Sequence, residues 1–219
     1  AQFTYFLYSK NSQPGPEYYD ENFDIYFQDF RQGIIEALRD SVLIQTNVTM
    51  LTCTQQVAES LKKNKMFDSV VCDIQPKGYD YLNIEGRYVP IYPNHYTYDW
   101  SRDNFGPLQI PAKGWKIELT AENWILYGRA ISAYEGNTVE VKKDEIYING
   151  EKATNYTFKQ NYYWMMGDNR HGSVDSRYWG LVGEDHIVGT ASFVWMSKHP
   201  EKGWFSGGLR WDRVFSFVE

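Results

Sequence analysis

The chain has 219 residues, 42% of them hydrophobic, enough for one large or two small domains with cores of their own. A net charge of -6, with no basic block beyond Lys62-Lys63 and Lys142-Lys143, argues against a nucleic-acid partner. No run reaches the roughly 18 apolar residues that span a bilayer, and the N-terminus lacks a signal-peptide pattern, so the chain alone is expected neither to cross a membrane nor to direct its own export.

In chain order, residues 3–8 read as a strand, followed by a loop around Pro14, Gly15 and Pro16. Phe23, Phe27, Phe30, Ile34 and Leu38 recur at helical spacing, with Asn22 as N-cap, and predict a helix that Gly33 weakens. Val42, Ile44, Thr46, Val48 and Met50 alternate, the period of a half-buried strand. Thr54 is placed to cap a second helix with Val57, Ala58 and Leu61 inward and lysines at its C-terminal end. A strand over 69–74 completes a β-α-β-α-β unit over residues 1–76. Residues 77–114, rich in Tyr, Pro, Asn and Gly, have neither period and read as an irregular connection.

From Lys116 onward the pattern is β-rich, over residues 115–219. Ile117 and Leu119 point inward, and a helix over 121–134 is capped by Thr120, with Trp124, Tyr127, Ile131 and Tyr134 on one stripe. Residues 138–141 and 145–148 form a hairpin, and Asn149-Gly150 marks a turn. Further strands are expected at 156–158, 162–166 and 187–196, with Trp204, Phe205, Trp211, Phe215 and Phe217 packing back on the sheet. Cys53 and Cys72 lack metal or redox spacing and are expected as free thiols. His95, His171, His186 and His199 lack the spacing of a helical metal pair and read as loop or surface residues, so no metal or cofactor is expected. The fold class is α+β.

Residues 167–180, Gly-Asp-Asn-Arg-His-Gly-Ser-Val-Asp-Ser-Arg-Tyr-Trp-Gly, form a polar segment between two apolar, aromatic runs. Groups held between core strands must pair with one another or with backbone. Asp175 and Arg177, two apart, face the same way if extended and are expected to form an ion pair that fixes the loop. Asp168, Asn169, Arg170 and Ser176 are expected to brace it. Paired-carboxylate chemistry at Asp168 and Asp175 is disfavoured, because Arg170 and Arg177 beside them would hold both ionised. The bland alternative is a polar hairpin loop, in which Ser173 bonds to local backbone.

The run Gly-Asp-Asn-Arg-x-x-Ser-x-Asp-Ser-Arg-x-x-Gly, with Asp103-Asn104-Phe105-Gly106-Pro107 before it and Trp211 after, resembles the last box of the type I signal peptidases. Nine of fourteen positions match, which makes the signal specific. The chain is most similar to a long bacterial form with an extra domain inserted before that box, here residues 1–76. The resemblance implies a serine endopeptidase, anchored in the inner membrane of a bacterium by a segment outside this chain. It acts on the extracytoplasmic side, with signal peptides of exported preproteins as partners and substrates. It also implies a Ser nucleophile and a Lys base. Neither a Ser-Met-x-Pro-like nor a Lys-Arg-x-x-Gly-x-Pro-Gly-Asp-like box occurs here, and the nearest stretch, Arg129 to Asn137, has an arginine that stays protonated. The chain therefore reads as a piece beginning after both boxes, inactive alone. In it Ser173 corresponds to the serine whose hydroxyl orients the catalytic lysine amine. A second class of reading is a non-catalytic β-rich module that binds peptide or glycan through its aromatic surface.

Overall fold

The structure, a computed structural model, describes residues 1–9, 13–15, 18, 19, 22, 30–39, 42–78, 89–143, 145–199, 202, 203 and 208–218. Its internal contacts divide the chain into two units, Ala1–His186 and Ile187–Glu219. Helices and antiparallel strands are mixed, an α+β composition.

The first unit begins with a four-stranded antiparallel sheet. Its strands are β1 (Gln2–Ser9), β2 (Phe30–Arg39), β3 (Val42–Thr54) and β4 (Ser69–Cys72), in the order β2-β3-β1-β4. The central strand β1 buries Tyr5, Leu7 and Ser9 at alternate positions, as a strand with one face on a core must. A helix, α1 (Gln55–Lys62), follows β3 directly and packs Ala58 and Leu61 under the sheet. Thr54 caps it, its hydroxyl accepting the Val57 N–H at 3.4 Å, as its position in the sequence predicts. Tyr5, Leu7, Leu51, Leu61 and Phe67 close this first core.

The helix expected from Phe23 to Leu38, with Asn22 as its cap, is overturned at 30–38, while Asn22 is itself helical and donates its side-chain amide to the Tyr18 carbonyl at 2.7 Å. Phe30, Ile34 and Leu38 lie in β2, which pairs with β3 from Phe30↔Leu51 to Arg39↔Val42. Steps of four are even as well as helical, so this spacing suits one strand face as readily as one helix face. Pairing with the strongly alternating strand β3 decides for the strand. Phe23 and Phe27, whose step to Phe30 would have discriminated, lie outside the described residues. Among the described residues the named elements thus run β-β-β-α-β, with Tyr18, Tyr19 and Asn22 helical between the first two strands.

Residues 89–115 contain no strand or helix, as the loss of either period predicts. The strand Lys116–Glu118 pairs with Asn155–Thr157. Thr120 caps α2 (Ala121–Arg129), accepting the Asn123 N–H at 3.1 Å, and the helix continues into a wider turn, Ala130–Tyr134. Its apolar stripe packs with Ile117, Tyr156, Phe158, Tyr162 and Leu181 in a second core. The hairpin Val139–Lys142 with Glu145–Ile148 is present, and Asn149 and Gly150 turn with φ of 53° and 87°, the pattern of a type I′ turn.

The second unit departs from expectation. Of residues 187–196 only Phe193–Val194 is strand, paired with Ser216–Phe217, and Ile187, Val188, Phe193 and Trp195 are exposed. β-propensity expresses fit to a pleated, half-buried surface, and a two-residue partner offers little of one. Trp211, Phe215 and Phe217 are likewise exposed instead of packed on a sheet, apart from ring contacts of Phe215 and Phe217 with Phe193. Trp204 and Phe205 lie outside the described residues.

Candidate functional site

The polar segment 167–180 is carried between two short paired strands, Tyr162–Tyr163 and Val182–Gly183. Its first half is held by β1. The Gln2 N–H donates to the Asp168 carbonyl at 2.6 Å, the Arg170 N–H donates to the Gln2 carbonyl at 2.9 Å, and Gln2 bridges to Asn169. The Asn169 side chain accepts the Gly172 N–H at 2.9 Å and closes a tight turn. Asp168 is exposed, and among the described residues it makes no ion pair with Arg170.

The second half is built on a buried fork. Arg177, only 2% exposed, donates from Nε to Asp175 Oδ1 and from Nη2 to Asp175 Oδ2, both at 2.8 Å. The guanidinium also reaches the Arg102 carbonyl at 3.4 Å and the Arg170 carbonyl, tying three stretches of chain together. Burial alone would raise the Asp175 carboxyl, but the Arg177 fork and the backbone N–H groups of Gly167 and Arg177 outweigh it and hold the group below its ordinary range. Asp175 caps the single helical turn Ser176–Trp179. Ser176 is bonded both ways to Met165, its hydroxyl accepting the Met165 N–H at 2.9 Å. Gly180 adopts φ of 90°, and a Cβ there would overlap the Tyr92 ring, so glycine is required twice over.

Ser173 is half-buried and packs against Gly167, where a Cβ would overlap its hydroxyl. Among the described residues that hydroxyl has no hydrogen-bond partner, so local backbone does not claim it. The loop thus satisfies Asp175, Ser176 and Arg177, while among the described residues the Ser173 hydroxyl and the Arg170 Nε have no hydrogen bond.

Sequence reasoning read His171 as a loop or surface histidine at a position the motif leaves free, and missed its partners. Its side chain is 3% exposed, Nδ1 accepts the Thr4 N–H at 3.0 Å, and Nε2 lies 2.9 Å from Asp103 Oδ1. With Nδ1 accepting, the proton sits on Nε2 and is donated to Asp103. Asp103 Oδ2 takes Arg102 and the Gln75 N–H at 2.9 Å. Burial opposes the Asp103 charge, but His171, Gln75 and Arg102 together bring its pKa to about 2. His171 and Asp103 therefore join β1, the end of the first sheet and the loop. The only signal was the Asp103-Asn104-Phe105-Gly106-Pro107 stretch. His199 is also buried, within the second unit.

Arg129 lies in α2, donates to the Trp179 carbonyl at 3.4 Å and sits over the Tyr134 ring. The neighbouring Glu135 accepts from the phenols of Tyr156 and Tyr162 and from the Lys159 N–H, which is a brace of the second core. Among the described residues neither the Ser173 nor the Ser176 hydroxyl is bonded to a lysine or histidine. Cys53 and Cys72 are free, and burial pushes the Cys53 thiol up to about 12, which makes it unreactive. Among the described residues no helix is long and apolar enough to cross a membrane.

A family model described as signal peptidase, peptidase S26, matches residues 152–196, which include the loop. The chain is 33% identical over 110 residues to Signal peptidase I of Haemophilus influenzae, covering 50% of this chain and 30% of that protein. It is 28% identical over 141 residues to Signal peptidase I of Buchnera aphidicola subsp. Baizongia pistaciae, covering 60% of this chain and 44% of the relative. It is also 35% identical over 94 residues to Signal peptidase I T of Bacillus subtilis, covering 32% and 49%. The chain thus spans less than half the length of these relatives. No solved structure matches it. Over these segments, which include the braced loop, the chain is similar to bacterial signal peptidase I proteins.

Proposed function

We propose that the chain is the C-terminal, extracytoplasmic part of an enzyme that removes signal peptides from exported preproteins. The Ser nucleophile and Lys base are supplied by parts of the parent protein outside this sequence, as is the membrane anchor. Residues 1–76 are the inserted module and 115–219 the portion of the catalytic domain that carries the last box. The observation that carries the reading is the state of Ser173: a loop fixed by the buried Asp175–Arg177 fork holds a half-buried hydroxyl with no partner among the described residues, next to a glycine no other residue could replace without displacing it. A hydroxyl so placed accepts from or donates to an incoming amine, and an oriented neutral lysine is what a Ser/Lys mechanism needs.

The test is cleavage of a preprotein. The isolated chain yields no mature product, and the parent protein yields it but loses about 10² in rate or more with Ser173→Ala, within the range general-base catalysis contributes. Cleavage by the isolated chain, or full activity of the substituted parent, defeats the reading. A second reading is favoured by a different observation, the exposure of Phe193, Trp195, Trp211, Phe215 and Phe217 in the second unit. Under it the chain is a non-catalytic β-rich module that binds peptide or glycan, and a parent protein with no peptidase activity would select it.

A further inference from the structure

A cavity of about 380 Å³ opens in the first unit between the start of β1, the end of the first sheet and the loop. Its walls are apolar and aromatic, from Phe3, Phe105, Trp164 and Met166, with three guanidinium groups and one carboxylate among them. Three of those four charges are spent. Asp103 has both oxygens occupied, by His171 and by Arg102 with the Gln75 N–H. Arg102 also reaches Asp73 at 3.2 Å, and Arg177 is locked on Asp175.

Arg170 is different. Among the described residues it has no carboxylate partner, its Nε is buried with no hydrogen bond, and its only side-chain polar contact is the Met166 sulfur at 3.4 Å. The sealed Nε of Arg170 is out of a ligand's reach, but Nη2 makes no hydrogen bond among the described residues and is not sealed, so it can donate to an acceptor in the cavity. Its planar fork fits a carboxylate, and the aromatic walls fit an apolar group beside it.

We infer that this cavity binds a carboxylate carried next to an apolar side chain, with Arg170 taking the carboxylate and Phe3, Phe105 and Trp164 the apolar group. An α-carboxylate at the end of a peptide and a free amino-acid derivative share that chemistry. The inference goes beyond the peptidase reading, since the site needs no nucleophile and its test needs no cleavage.

The probe is N-acetyl-phenylalanine, titrated into the purified chain while the indole N–H signal of Trp164, assigned with Trp164→Phe, is followed by NMR. Saturable movement of that signal is expected. N-acetyl-phenylalaninamide, which lacks the charge, and inorganic phosphate, which lacks the apolar group, are each expected to bind at least about tenfold more weakly, as is Arg170→Gln toward the acid. A peptide ending in phenylalanine that binds as well as the free derivative assigns the site to chain termini; one that does not assigns it to small acids. Equal binding of acid and amide, equal binding of phosphate, or no saturable shift overturns the proposal. The comparison of acid with amide uses the unaltered chain, so it decides the matter even where Arg170→Gln fails to fold.

Discussion

At the scale of single residues the Asp175–Arg177 fork dominates, because both partners are buried and each leaves the other stranded if removed. Arg177→Ala is expected to lower the unfolding free energy by about 3 to 5 kcal/mol, read from the urea midpoint, since an uncompensated buried charge remains. A change under about 1 kcal/mol would show that the fork is not what fixes the loop. Asp103 gives a second expectation through its pKa of about 2. A carboxyl depressed below its unfolded value binds fewer protons when folded, so stability is fully present above about pH 4 and is lost as pH falls toward 2. The contribution is on the order of 2 kcal/mol, and Asp103→Asn should flatten that part of the stability-against-pH curve. Asp175, depressed in the same direction, adds to the slope and does not reverse it. These residues differ in how far the sequence disclosed them. Asp175 and Arg177 stood two apart in a recognisable box, whereas His171 meets Asp103 across 68 residues, and nothing local marks a histidine whose partner is that remote.

At the scale of elements, local rules read best where a cap or turn residue fixed the geometry. Thr54 and Thr120 cap their helices, and Asn149-Gly150 turns its hairpin, because each of these depends on neighbours within three residues. Thr54→Ala and Thr120→Ala are each expected to cost about 1 kcal/mol by thermal or urea unfolding, the usual worth of a hydroxyl cap. Thr54→Asp should retain most of what Thr54→Ala loses, since a carboxylate accepts the same N–H; equal losses for the two would mean that Thr54 acts by packing alone. Legibility failed where a pattern admitted two periods, as at Phe30, Ile34 and Leu38, whose helical spacing is also even. It failed again over 187–196, where strand-forming residues had no broad surface to join. Pairing with β3 and the lack of a long partner are tertiary facts, absent from either stretch taken alone.

At the scale of the whole molecule, both cores fall within the first 186 residues, and the cavity and the loop fall there as well. The described part of the second unit offers two strands of two residues, a short helical turn and several exposed aromatic rings. Segments with few buried apolar contacts open at low cost and are cut first by proteases. Limited proteolysis is therefore expected to cleave first between His186 and Phe193, where Val188 is fully exposed, and to leave a resistant product ending near residue 186. That product should unfold in one cooperative step at a midpoint close to that of the intact chain, because the Asp175–Arg177 fork, the His171–Asp103 link and both cores are retained. A first cut within residues 1–186, or a product that melts well below the intact chain, would mean that the second unit supports the first, and the two would then have to be treated as one folding body.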